Sequence, residues 1–245
     1  MRPSTGEAQP ERMVDDAGMP SDVPPSIRIV CFDLGGVLVR IHHTWGDACR
    51  AAGLAARDEP AGAPVEAKCS ALNARLMVGE IAIDEWAEGI SRAFDGAYSA
   101  EEAVRAHDAI TQDEYEGATA LIVALHDAGI ATACLSNTDH SHWARFVPAD
   151  GDPSGARALE YPTVARIQSR FASHLLGLAK PDAAIYQAFE RTTGLRGHDI
   201  VFFDDRPENV DAARLRGWRA HRIDPERDPI AQMREHLRRH GVLES

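Results

Sequence analysis

Four short stretches of the chain carry side chains able to handle a phosphoryl group. Asp33 closes "IRIVCFD", Ser136 and Asn137 close "IATACLSN", Lys180 sits in "LGLAKP", and Asp204 and Asp205 close "DIVFFDD". An aspartate can attack phosphorus and carry the group as an acyl phosphate. At neutral pH it faces an anion of its own sign, so a cation is required. Asp33, Asp204 and Asp205 make a hard, oxygen-rich set suited to Mg²⁺. Ser136 and nearby backbone N–H groups can hold a phosphate oxygen. A helix starting near residues 138–140 adds its N-terminal dipole. Lys180 adds a compact point charge. The chain has two lysines against twenty-four arginines, so the ammonium at Lys180 reads as chosen over a planar guanidinium; Lys68 shows no evident duty.

Those residues converge only if each lies at the same end of a parallel sheet. The patterning predicts that arrangement. "IRIVCF", "IATACLSN", "RFASHL", "DIVFF" and "WRAHRI" read as short strands. "EYEGATALIVALHDAG", "PDAAIYQAFERTTG", "PENVDAARLRG" and "DPIAQMREHLRRHG" read as helices, several with proline near the start and glycine at the end. Strand and helix alternate, which predicts an α/β fold with a parallel sheet covered on both faces. Ligands of such sheets bind at the C-terminal edge of the strands.

The rhythm breaks between about residues 41 and 113. "HTWGDACRAAGL", "PVEAKCSALNARLMVGE", "AIDEWAEGISRAF" and "SAEEAVRAHDAI" are helical patterns with almost no strand runs. They leave the sheet just past Asp33, which predicts a helical cap over residues 41–113 and a core made of 27–40 and 114–245. Residues 1–26 are rich in Pro, Gly, Ser and acidic side chains and read as a disordered tail. Residues 148–161 read as a long polar loop without an assigned role.

Bulk properties narrow the partners. The chain is 44% hydrophobic and 26% charged with a net charge of −12, which argues against nucleic acid. No apolar run is long enough to span a bilayer, and the N-terminus has no secretory pattern. Cys31, Cys49, Cys69 and Cys134 form no CxxC pair and read as reduced thiols of a cytoplasmic protein. Oligomeric state is open.

The same stretches resemble the four motifs of the haloacid dehalogenase superfamily. "FDLGGVL" resembles the first, "LSNT" the second, "GLAKPDAAIY" the third and "FFDDRPENVDAA" the fourth. The insertion after the first motif resembles the subfamily with a small helical cap. The resemblance spans about residues 27–243. It implies a Rossmann-like three-layer core, Mg²⁺, and phosphatase activity on small phosphorylated metabolites. It makes Asp33 the nucleophile and a metal ligand, with the backbone carbonyl of Gly35, Asp204 and Asp205 completing the metal site. It assigns Ser136, Asn137 and Lys180 to the phosphate. Which of Asp204 and Asp205 ligates directly stays open.

One position departs from that family. Most of its phosphatases carry an aspartate two residues after the nucleophile, as the acid for the leaving oxygen; here it is Gly35. General acid catalysis contributes about 10²–10⁴-fold, so its loss matters. "DLGGV" resembles a branch that includes sugar-phosphate phosphatases, where an easy leaving group or a cap residue such as His42 or His43 makes up the loss. Two alternatives remain: a metal-independent 2-haloacid dehalogenase, which attacks carbon and needs no acid, and a non-catalytic relative that binds a phosphorylated ligand.

Overall fold

The computed structural model describes residues 27–55, 57, 62–147 and 160–244. The expected tail over 1–26 and residues 148–159 of the polar loop lie outside them. In chain order the elements are β1 (Ile29–Phe32), β2 (Val39–Ile41), α1 (Trp45–Ala51), α2 (Ala63–Met77), α3 (Ile83–Ala93), α4 (Ala100–Asp108), β3 (Thr111–Glu114), α5 (Ala118–Asp127), β4 (Ala131–Ser136) and α6 (His140–Phe146). There follow α7 (Pro162–Arg166), β5 (Ser169–Ala172), α8 (Ser173–Leu176), α9 (Ala183–Thr193), β6 (Ile200–Asp204), α10 (Pro207–Leu215), β7 (Arg219–Arg222) and α11 (Pro229–Arg239).

Five strands form a parallel sheet in the order β5-β4-β1-β6-β7. Alternate side chains serve opposite faces. Val30, Phe32, Val201 and Phe203 enter one core with Leu121, Leu125 and Met233 of α5 and α11. Ile29, Cys31, Ile200 and Phe202 enter the other with Tyr186, Phe189 and Val210 of α9 and α10. Burial on both faces explains why the strands read as unbroken apolar runs. From β1 the chain moves outward through β4 to β5, then returns past β1 to β6 and β7. The direction reverses between β1 and β6, which is where a crevice opens at the strands' C-terminal edge.

Helices α1 to α4 lie between β2 and β3 and carry a hydrophobic cluster of their own, including Leu76, Trp86, Ile90, Phe94 and Ala103. Ser99 and Glu102 form a reciprocal capping box at the start of α4. No helix among the described residues is long and apolar enough to cross a membrane.

Two local expectations are corrected. "RFASHL" is not one strand: β5 ends at Ala172, and Ser173 begins the helical turn α8. There the Ser173 hydroxyl turns inward to Thr138 and Met77, which a strand would not allow. The antiparallel pair β2–β3 is also present; "TQDE" is polar and only four residues long, so it shows no strand period.

Candidate active site

The C-terminal ends of β1, β4 and β6 bring the expected residues together. The pairing of β1 with β6 continues one residue past Phe32, where Asp33 N donates to Phe203 O at 2.8 Å. That contact places Asp33 beside Asp204. Oxygens of Asp33, Asp204 and Asp205 all lie within 4.8 Å of one another. Lys180 Nζ stands 3.0 Å from Asp33 Oδ2 and 2.7 Å from Asp204 Oδ2, and its side chain is wholly buried.

The three carboxyls sit in different surroundings. Asp204 is fully buried and its oxygens are taken: Lys180 Nζ, both contacts from Asn209 Nδ2 at 2.9 and 3.1 Å, and Arg206 N at 2.9 Å. Among the described residues Asp33 Oδ1 accepts only from Leu34 N, at 2.7 Å. Asp205 is part-exposed and faces Gly36, where a Cβ would come within 2.9 Å of its Cγ and Oδ2. Gly36 also has φ of +72°, so backbone shape and close approach both demand glycine there.

The electrostatics follow from this crowding. Burial lifts Asp33 to about 7, against the pull of Lys180, with Asp204 and Asp205 adding repulsion. Burial and Asp204 lift Asp205 to about 6. Burial opposes the charge on Lys180, but Asp204 and Asp33 outweigh it and hold the ammonium above its ordinary range. Three carboxyls against one ammonium leave an excess of negative charge. That donor set fits a hard divalent cation, which would relieve the two strained carboxyls.

Ser136 is buried at the end of β4. The Asn137 side chain, which also lines the cavity over the site, pairs with the backbone of Lys180: Asn137 Nδ2 donates to Lys180 O at 2.8 Å, and Lys180 N donates to Asn137 Oδ1 at 2.9 Å. The helix expected near 138–140 is α6, capped by Asp139 through Ser141 N and His142 N. Gly35 pairs with Val39 in an isolated bridge. A Cβ at Gly35 would lie 3.2 Å from Ile41 Cδ1, so Ile41 already fills the start of the space an acid would need.

Several residues were not singled out from sequence. Asn209 anchors Asp204 from the first turn of α10; its place five residues after a strand-end aspartate, one turn into a helix, was the available signal. Asp139 accepts from two histidines at once, His107 Nε2 at 3.1 Å and His142 Nδ1 at 3.2 Å. The two rings stack with centroids 4.0 Å apart. His107 belongs to α4 and Asp139 to the end of the β4 loop, so a long-range pairing joins the helical insertion to the strand edge, and no short-range pattern announces it.

Above this floor lies a cavity of about 750 Å³. Asn137, Lys180 and Arg206 form its base, and the helical insertion forms its walls, with His42 and His43 just after β2.

A curated protein of Mycobacterium tuberculosis, Phosphatase MT3486, is 40% identical over 53 residues, 22% of this chain and 24% of that protein. The chain thus matches about a quarter of that relative's length. A structure described as a predicted HAD-like family hydrolase from Porphyromonas gingivalis superposes with TM-score 0.66 at 21% identity, covering 86% of this chain and 98% of the other. A HAD family enzyme from Bacteroides thetaiotaomicron, solved with magnesium and inorganic phosphate, superposes with TM-score 0.62 at 19% identity, covering 83% and 97%. A sequence model described as haloacid dehalogenase-like hydrolase matches residues 27–217, and the chain belongs to that family of hydrolases.

Proposed function

We propose that this hydrolase is a Mg²⁺-dependent phosphatase of small phosphorylated metabolites, working through an aspartyl-phosphate on Asp33. The observation that carries the reading is the meeting of Asp33, Asp205, Asp204 and Lys180 at the β1/β6 crevice. The Mycobacterium tuberculosis relative named a phosphatase and the neighbour solved with magnesium and phosphate support it. Residues 41–113 act as a cap over a core of 27–40 and 114–245. The free thiols of Cys31, Cys49, Cys69 and Cys134 suit a reducing compartment such as the cytoplasm.

In this reading Asp33 Oδ2 attacks phosphorus, the P–O ester bond breaks, and its electron pair leaves with the alcohol oxygen. Water then attacks the aspartyl-phosphate and releases inorganic phosphate. Lys180, held in place by Asn137 and Asp204, orients Asp33 and neutralises the phosphoryl oxygens. Ser136 and the backbone N–H groups after β4 hold one of those oxygens. Asp33, Asp205 and the Gly35 carbonyl would hold the ion, which would supply positive charge to the phosphoryl group. Asp204 is the counter-ion of Lys180, since its oxygens are already engaged. With Gly35 in the acid's position, His42 or His43 at the cavity entry donates the proton to the leaving oxygen.

A dehalogenase needs no cation, and without one three carboxyls crowd around a single buried ammonium, an arrangement that a divalent ion suits better. The test is hydrolysis of p-nitrophenyl phosphate with Mg²⁺, with EDTA, and by Asp33→Asn. Turnover should require Mg²⁺ and fall by at least about 10³-fold in the variant, whose circular dichroism should match the parent. Substantial turnover by Asp33→Asn, or none by the parent across a panel of phosphate esters, would remove the reading.

A further inference from the structure

The cavity wall carries information about the substrate beyond its phosphate, and the inference drawn from it rests on the phosphatase reading above. One stripe of α2 faces the cavity: Glu66, Ser70, Asn73 and Met77, at helical spacing. The Met77 end is tied to the core, because the Ser173 hydroxyl donates to Met77 O. Glu66 lies about three turns earlier, roughly 16 Å along the helix axis, at the far end from the phosphate floor. Between them Ser70 and Asn73 are set among mainly apolar side chains, including Trp45, Ala74 and Ile110. Trp86, Ile90 and Phe94 form the facing stripe of α3. The polar edge of Trp86 is already used, since its Nε1 donates to Asn73 Oδ1 at 2.8 Å.

The charges are just as unevenly placed. The lysine and the arginine that line the cavity, Lys180 and Arg206, both sit at its floor. Lys180 is matched by Asp33 and Asp204, and Arg206 by Glu208. Apart from histidines and the Cys69 thiol, the ionisable side chain that the helical insertion contributes to the lining is Glu66, which has no ion-pair partner among the described residues. Among the described residues the wall adds no lysine or arginine to receive a second phosphate or a carboxylate, and its polar side chains are few beside its apolar ones.

The geometry points to an elongated phosphate monoester with an apolar middle and a cationic far end as the substrate class, with Glu66 reading that end. Each methylene buried in the middle is worth roughly fourfold in kcat/KM. Glu66 is exposed, so its attraction for an ammonium is worth only about fivefold, and its repulsion of a carboxylate a similar factor.

The test measures kcat/KM with Mg²⁺ for glycerol phosphate, hexyl phosphate, aminohexyl phosphate and carboxyhexyl phosphate, whose leaving groups are all primary alkoxides. Hexyl phosphate should exceed glycerol phosphate by at least about tenfold, and the amine should exceed the carboxylate by about tenfold or more. Glu66→Gln should bring the two charged esters together, and Glu66→Lys should invert them; both changes lie on an exposed helix surface and spare the fold. Preference for glycerol phosphate, or a charge preference that Glu66→Lys leaves unmoved, overturns the inference. p-Nitrophenyl phosphate separates the two failures. If it is hydrolysed and the alkyl series is flat, only the assignment of the cavity fails; if neither it nor any of the alkyl esters is hydrolysed, the phosphatase reading and this inference fall together.

Discussion

The floor and the walls of the cavity are built on opposite principles. At the floor, polar groups hold one another. Asp204 receives three partners, Lys180 is gripped at both its side chain and its backbone, and Gly36 leaves no room beside Asp205. On the walls, apolar stripes of α2 and α3 face open space, with few polar side chains among them. A floor of this kind is organised before any ligand arrives, which suits stabilisation of developing charge. A wall of this kind grips by area and shape and can change without disturbing the chemistry. If the contrast is real, substitutions at the floor should cost far more in rate than substitutions on the wall.

The sharpest test is Lys180→Met. It leaves buried Asp33 and Asp204 without their shared cation. Breaking such a pairing costs about 3–5 kcal/mol, so the melting temperature should fall by roughly 10 °C. Loss of the ammonium should also lower kcat by about 10²–10³-fold with Mg²⁺ saturating. A variant that melts like the parent and retains its rate would show that the floor is not organised around Lys180.

Gly36→Ala probes the same floor from the backbone side. The new methyl would come within 2.9 Å of the Asp205 carboxyl, at a φ of +72°. Strain of this kind costs about 1–3 kcal/mol, and Asp205 must shift. We expect the Mg²⁺ concentration for half-maximal activity to rise roughly tenfold, since one carboxylate ligand is displaced. An unchanged Mg²⁺ dependence would mean that Asp205 does not hold the ion.

The contrast between floor and wall also explains what was legible in the sequence. Asp33, Asp204 and Asp205 could be placed because each ends or follows a buried parallel strand, and Lys180 because it comes a short turn and loop after the edge strand β5, and sheet geometry carries all strand ends to one edge. The fold was legible for the same reason: β1, β4 and β6 are apolar on both faces and are punctuated by capped helices. Asn209 and the Asp139–His107–His142 group were not, because their contacts span elements whose relative placement no local pattern encodes. The side-chain duty of Asn137 was hidden as well, since a reciprocal pair with the backbone of Lys180, 43 residues away, leaves no trace in spacing. On the wall, periodicity showed that α2 and α3 are helices but not that Glu66 and Met77 share a face of the cavity with Trp86.

Gly35 stands where floor meets wall, and restoring an acid there sharpens the comparison. Gly35→Asp alone meets Ile41, whose Cδ1 would be 3.2 Å from the new Cβ. We therefore expect Gly35→Asp to help only when combined with Ile41→Ala. The double variant should hydrolyse alkyl phosphates roughly tenfold or more faster than Ile41→Ala alone, the lower part of the range for general acid catalysis. With p-nitrophenyl phosphate, whose phenolate leaves without a proton, the two should match. Equal rates on both substrates would mean that proton donation to the alkoxide is not limiting, and that the chain already supplies it.

The smallest effect concerns the joint between the two regions. Burial opposes the charge on Asp139, but hydrogen bonds from His107 and His142 outweigh it and hold its carboxyl far below the ordinary range. Burial likewise opposes charge on His107, yet Asp108 and Asp139 lift it above the ordinary imidazole value. For Asp139 the stabilisation is present above the unfolded carboxyl's pKa and is lost as pH falls through the lower folded value. For His107 it is complete below the unfolded imidazole's pKa, about 6.5, and is lost as pH rises through the higher folded value. The joint is therefore tightest on the acid side of neutrality and loosens as the medium turns alkaline. Asp139→Asn retains an oxygen to cap α6 but gives up the charge. It should lower the melting temperature at pH 6 by about 4 °C, the worth of roughly one or two kcal/mol, and by less at pH 9. A deficit that does not shrink with rising pH would show that Asp139 acts through its cap alone, leaving the floor and the walls joined by packing and not by this ion pair.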